Sequence, residues 1–241
     1  SDGIEIAGSF RPAAVNKTDA PAMVCVPMLG RTRSDYNLFA KLLSEIGIAS
    51  LAIDIRGHGD SKMDGKIRYS SFKEKQWNEC VNDVNAAIGW LASHKNVDSE
   101  FIGLIGASIG ANFVLKVGSR REVKLVIALS PGLDYHGVNI EKDAAKIHDK
   151  PVYVVATGGD EYSKETVSKL SQIMIKDADI EIIEDQNKHG TDMFRIPAFQ
   201  EKLIRWISDN FAELKRQALT ERDMAEKKKN QARPTPVTGS G

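Results

Sequence analysis

The sequence predicts an α/β fold with a mostly parallel central sheet, helices on both faces and no large cap domain. Short apolar runs alternate with stretches of helical periodicity from residue 20 to 210, the pattern of strand–helix–strand crossovers. The runs are rich in β-branched residues and nearly continuously apolar, as strands covered on both faces must be. A length of 241 residues sits at the upper end of what one such domain occupies, so a single core is expected.

The expected strands are Met23–Val26, Ala49–Asp54, Phe101–Ile105, Leu125–Leu129, Val152–Ala156 and Ile180–Ile183. Ile4–Phe10 alternates more and contains a glycine, which suits an antiparallel edge strand or hairpin. Between the strands, Leu38, Phe39, Leu42, Leu43 and Ile46 recur at helical spacing and stop at Gly47. Trp77, Val81, Val84, Ala87, Ile88 and Leu91 do the same across Lys73–Ala92. Further helices are expected over Ile109–Val117, Ser163–Ile175 and Pro197–Phe211, the last continuing as a charged helix towards Lys229. The chain thus divides into a folded domain over 1–216, a charged helical extension over 217–230 and a polar tail over 231–241 that cannot build a core.

Composition excludes several classes of function. Lys plus Arg and Asp plus Glu number 33 each, so no net charge attracts nucleic acid or an anionic membrane. No apolar run approaches the roughly 18 residues of a membrane span. Cys25 and Cys80 share no metal or redox spacing and are expected to be separate free thiols. No His/Cys/carboxylate cluster has ligand spacing and no phosphate-binding glycine pattern follows the first strand, so neither a metal nor an organic cofactor is implied. The chain begins at Ser1 rather than Met, which reads as a processed product and leaves compartment open. Oligomeric state is equally open.

One turn carries chemistry. Gly106-Ala107-Ser108-Ile109-Gly110 follows the strand Phe101–Ile105 and precedes a helical stretch. A strand-to-helix reversal this tight forces its serine into an unfavourable backbone conformation, and glycines on both sides let the elements approach without a Cβ clash. The new helix also aims its free N–H groups at the serine. Ser108 is therefore the candidate nucleophile.

A serine hydroxyl needs a base to take its proton. His189, in Lys188-His189-Gly190-Thr191 just after the strand Ile180–Ile183, is the candidate. His58 lies in a glycine-rich segment that reads as a structural turn, and His94, His136 and His148 read as solvated polar residues. A third group must fix the imidazole tautomer. Asp160 follows the strand Val152–Ala156 through a flexible Thr157-Gly158-Gly159 link; Asp134 and Glu161 are its rivals, and helix capping is its alternative employment. The order Ser108, Asp160, His189, each after a successive strand, fits a triad carried on such a sheet.

With these residues in view, the chain from about Ile4 to Phe211 resembles an α/β-hydrolase. The matching segments are the Ser108 turn, Asp54-x-Arg56-Gly57-x-Gly59-x-Ser61 and Pro27-Met28-Leu29-Gly30. Gly106–Asn112, Leu129–Tyr135 and His189–Met193 resemble small bacterial proteins akin to dienelactone hydrolases. The resemblance implies a carboxylic-ester hydrolase with an acyl-enzyme intermediate; the same triad acting on amide, thioester or lactone bonds, or a non-catalytic binding protein on this scaffold, are the alternatives. It also implies an oxyanion hole built from the backbone N–H of Ile109 and of Leu29, with Met28 as the alternative to Leu29. One departure is Pro27, where such proteins usually carry His-Gly: proline cannot make the hydrogen bonds of an imidazole, though its fixed φ stiffens the same loop. Asp54 and Arg56 are expected to brace the sheet near these loops.

Only Ser130–Pro151 separates two successive strands at the position where many such proteins insert a lid, with one short helix-like piece, Glu141–His148. That is too short for a helical cap, so an open pocket for small or extended soluble esters is expected. Its candidate walls are Met28, Leu133, Tyr135, Tyr162 and Met193, together with Leu29 and Ile109, from their places beside the catalytic loops.

Overall fold

The structure, a computed structural model, describes residues 2–15, 18–174 and 178–231. In chain order its elements are β1 (Gly8–Arg11), β2 (Ala20–Val26), α1 (Asn37–Glu45), β3 (Ala49–Ile53), α2 (Glu74–Glu79), α3 (Val81–Ser93), β4 (Val97–Ala107) and α4 (Ile109–Val117). Then follow β5 (Val123–Leu129), β6 (Asp134–Tyr135), β7 (Val138–Asn139), α5 (Glu141–Ala144), β8 (Val152–Thr157), α6 (Glu161–Ile173), β9 (Ala178–Ile183) and α7 (Pro197–Gln231).

Seven strands form one sheet in the order β1-β3-β2-β4-β5-β8-β9. All pair in parallel except β1, which runs antiparallel to β3 at the edge. Side-chain alternation along each strand divides the interior into two layers. Val24 and Val26 of β2 join Ile102 and Leu104 of β4 on one face, beneath α3, α4 and α6. Met23 and Cys25 join Ile105 and Ala107 on the other, beneath Phe39 and Leu43 of α1 and Phe199, Leu203, Ile207 and Phe211 of α7. The two cysteines are free and buried, in different layers.

Three local expectations change. The predicted helix over Lys73–Ala92 is two helices, α2 and α3, meeting at Cys80, whose amide bonds the Trp77 carbonyl as the chain turns. Leu38, in the apolar repeat of α1, is 60% exposed. The segment after β5 contains a β-hairpin, β6–β7, with only two residues in each strand, and α5 stops at Ala144. Strands this short have no periodicity to detect.

Helix α7 runs unbroken through Phe211 to Gln231, and every residue from Leu219 to Asn230 is exposed. Ile175 and the rest of the expected tail, 232–241, lie outside the described residues. No helix among the described residues is long and apolar enough to cross a membrane.

Candidate active site

The parallel strands deliver their loops to one edge of the sheet, and the strand ends are stitched there in sequence. Ser108 N–H donates to Leu129 O at 2.8 Å, Ser130 N–H to Val155 O at 2.8 Å and Gly158 N–H to Ile183 O at 2.9 Å. Ser108, Asp160 and His189 therefore emerge from β4, β8 and β9 along a single carboxyl-end rim.

Ser108 occupies the elbow. Its φ of 53° and ψ of −124° lie in a region that L-residues avoid. The flanking glycines permit the turn by the closeness of backbone to backbone. A Cβ on Gly106 would strike the carbonyl of Gly110, and one on Gly110 would stand 2.5 Å from the carbonyl oxygens of both Val26 and Pro27. The strand that leads into Pro27-Met28-Leu29-Gly30 thus passes directly against the first turn of α4. Ile109 opens that helix, so its N–H has no partner within it.

His189 Nδ1 lies 2.7 Å from Asp160 Oδ2; a carboxylate only accepts, so in the neutral imidazole the proton sits on Nδ1 and the lone pair on Nε2. Asp160 stands at the N-cap position of α6 yet makes no capping hydrogen bond, and its side chain serves His189 instead. Burial works against its ionised form. The His189 hydrogen bond and charge, with the Ser130 and Ser163 hydroxyls, outweigh that and hold the carboxyl below its ordinary value. Thr157 supports the same loop, accepting from Lys188 N–H at 3.1 Å and donating to Lys188 O at 2.8 Å. Gly190 N–H donates to Ser130 Oγ at 3.0 Å.

The rivals have other employment. Asp134 accepts from Gly137 N–H at 2.7 Å, closing the β6–β7 turn. His58 is buried, with Nδ1 3.1 Å from Arg56 O and its ring stacked on Tyr69. His94 and His136, expected to be merely solvated, lie against Phe10 and Trp77 respectively. Asp54 accepts from Arg33 N–H at 2.7 Å and Asp60 N–H at 2.9 Å, and also pairs with the Arg33 guanidinium. Arg56 binds Asp83 through Nε at 2.9 Å and Nη2 at 2.6 Å. Both are structural braces beside the site loops.

Around Ser108, the hydroxyl of Tyr135 is flanked by the hydroxyls of Ser108 and Ser163, the latter at 3.4 Å. Burial nevertheless pushes the phenol above its ordinary pKa, so it is uncharged at neutral pH. The hydrogen bonds of His189 run to Asp160 and not to Ser108. Tyr135 and Tyr162 meet edge to face at 5.4 Å, with Gly132 packed under both rings. Leu133 is partly exposed beside them and Leu29 is 38% exposed. Met28 and Met193 belong to the core instead. Met193 is fully buried, and Met28 is pressed against Gly190, where its sulfur occupies the space a Cβ would need.

Sequence reasoning missed the residue that seats this wall. Asn112, wholly buried on α4, donates through Nδ2 to Gly132 O and Val138 O, both at 2.8 Å, and accepts from Gly132 N–H at 3.1 Å. It fixes the hairpin that carries Tyr135 to the helix that starts immediately after Ser108. Among the described residues no group of three or more His, Cys, Asp or Glu side chains is placed to hold a metal ion.

The architecture has many solved counterparts. Est1E from Butyrivibrio proteoclasticus, in a structure with ferulic acid bound, superposes with a TM-score of 0.72 at 19% identity, covering 88% of this chain and 97% of that one. A dienelactone hydrolase from Anabaena variabilis gives 0.68 at 16% identity, covering 88% and 93%. An alpha-beta serine hydrolase homologue from Coxiella burnetii gives 0.66 at 20% identity, covering 85% and 93%. In sequence, the chain is 31% identical over 137 residues to polyketide transferase ATR5 of Stachybotrys chlorohalonatus, a match over 56% of this chain and 43% of that longer protein. The family model of the dienelactone hydrolases matches residues 10–190. The chain belongs to the dienelactone hydrolase family and has the α/β-hydrolase fold.

Proposed function

We propose that the protein is a serine hydrolase that cleaves carboxylic esters through an acyl-enzyme intermediate. The observation that carries this reading is the Asp160–His189 hydrogen bond of 2.7 Å, made by a carboxylate that forgoes helix capping, on the same rim as a serine held at positive φ. Membership of the dienelactone hydrolase family supports it.

In this reading Ser108 Oγ attacks the ester carbonyl as its proton passes to His189 Nε2, and Asp160 stabilises the imidazolium. The tetrahedral oxyanion accepts hydrogen bonds from the N–H groups of Ile109 and Leu29, each worth about 3 kcal/mol to the transition state. Collapse breaks the ester C–O bond and the alcohol leaves with the proton from His189. Water then repeats the sequence on the acyl-enzyme, regenerating Ser108 and releasing the acid. The Ser108–His189 hydrogen bond forms as substrate enters, since such contacts tighten in the substrate complex. Leu133, Tyr135 and Tyr162 line the substrate side. The interval between β5 and β8 holds only the hairpin and α5, which leaves the rim open to small soluble esters.

A second reading keeps the acyl-enzyme but hands the acyl group to an alcohol or thiol; the similarity to a polyketide transferase favours it. One experiment tests both. A fluorophosphonate is expected to label wild type on Ser108 and leave Ser108→Ala unlabelled, with a panel of aryl and alkyl esters turned over by wild type alone. Added alcohol or thiol acceptors would divert product to the transferred ester or thioester if the second reading holds. Folded wild type with no adduct and no turnover would sink the enzyme reading.

A further inference from the structure

The Pro27–Gly30 loop is tied down from the far side of the site. Arg31, immediately after Gly30, sends Nη2 to Asp192 Oδ1 at 3.1 Å. Its Nε stands 3.0 Å from Asp35 Oδ2, an ion-pair contact too bent to be a hydrogen bond. Thr191 donates from Oγ1 to that same Asp35 oxygen at 2.9 Å. Asp192 and Thr191 directly follow His189-Gly190, and Met28 is packed against Gly190. Four side chains therefore join the loop that presents Leu29 N–H to the loop that presents His189.

We propose that the Arg31–Asp35–Thr191–Asp192 link is a positioning device that holds the oxyanion loop and the base loop in one register. It rests on the hydrolase reading above. None of the four touches the reacting atoms; each acts through Leu29 or His189.

The exposure of the link decides how it can be detected. The side chains of Arg31 and Asp192 are 42% and 35% exposed, so the pairs add little to global stability and are weakened by salt. Misplacing an oxyanion donor or base by about 1 Å costs on the order of 100-fold in rate. Loss of the link is thus read in turnover and not in melting.

The experiment compares Arg31→Met, Asp192→Asn, the double variant and Arg31→Lys with wild type, measuring kcat, KM and Tm on one aryl ester and the rate of fluorophosphonate labelling. Arg31→Met is expected to lower kcat and labelling by about 10- to 100-fold, with KM changed less than about twofold and Tm nearly unchanged. Arg31→Lys keeps the charge and is expected to recover part of the loss. The double variant is expected to be no worse than Arg31→Met, because both cut the same link. Molar salt is expected to slow wild type and leave Arg31→Met unaffected. Wild-type kcat in Arg31→Met, additive losses in the double variant, or a fall in kcat that merely follows Tm would overturn the proposal while wild type still labels. Absence of labelling in wild type would instead bring down the hydrolase reading and this proposal with it.

Discussion

Asp160 occupies the N-cap position of α6 but gives its carboxylate to His189, whose Nδ1 lies 2.7 Å away. A residue type that ordinarily caps helices is here withheld from capping by a stronger partner. Asp160→Asn is expected to fold and to lose about 10³- to 10⁴-fold in kcat, because the amide can stabilise the wrong imidazole tautomer.

The same pair sets a pH dependence of stability. Asp160 is held below its ordinary pKa: burial opposes its charge, and His189, Ser130 and Ser163 overcome that opposition. A depressed carboxyl contributes stability that is complete above the unfolded value of about 3.9 and is lost as pH falls through the lower folded value. The Tm difference between wild type and Asp160→Asn is therefore expected to be larger at pH 7 than at pH 3. Thermal melts of both across that range check this.

Gly110→Ala tests the crossing of β2 over α4. Its methyl would meet two backbone carbonyl oxygens at 2.5 Å, and neither can swing aside as a side chain would. A loss of about 1–3 kcal/mol is expected, with turnover falling because the displaced strand leads into the loop of Leu29, a proposed oxyanion donor. Gly89→Ala is the control: nothing lies within 4 Å of its added methyl, and in mid-helix alanine is expected to stabilise by about 0.5–1 kcal/mol. Melting curves of the two variants, with kcat for each, separate a local clash from a general intolerance of substitution.

Asn112→Ala is expected to leave two buried carbonyls and one buried N–H of the hairpin without partners. Each costs about 1–3 kcal/mol when stranded. Hydrogen exchange is expected to rise at Gly132 and through β6–β7 before it rises elsewhere, with ester turnover falling as Tyr135 loses its seat. Unchanged protection in the hairpin would mean that packing alone holds it.

The residues that answered to local pattern were those whose structure is set locally. Six strands, the elbow and the order of Ser108, Asp160 and His189 follow from apolar runs and glycines whose requirements are met within a few residues of chain. Asn112 reaches across 20 residues to Gly132, and Arg31 across 161 to Asp192. No periodicity records partners that meet only after the sheet has formed. The division at Cys80 was hidden for a different reason, since the apolar repeat continues through the break and Trp77 and Val84 still face the same core. Met193 misled because nearness in sequence to His189 does not fix which way a side chain turns.

Both thiols are expected to be silent in the native protein. Burial pushes Cys25 and Cys80 well above the ordinary thiol range, so little reactive thiolate exists at pH 8. Iodoacetamide should modify neither in native buffer and both in concentrated urea, as read by intact mass. Modification of the native protein would show that one of the two layers opens.

Helix α7 gives the molecule a directional handle. Lys215 Nζ donates to Asp19 O at 3.1 Å beside the start of β2, and Arg222 binds Glu100 at 2.6 Å near the start of β4. The helix therefore travels towards the amino ends of the strands, away from the rim that carries Ser108. Its last 12 residues, Thr220 to Gln231, advance about 18 Å at 1.5 Å per residue. The exposed, charged end of α7 thus projects on the side of the sheet opposite the loops that carry Ser108, Asp160 and His189, and it leaves that rim uncovered.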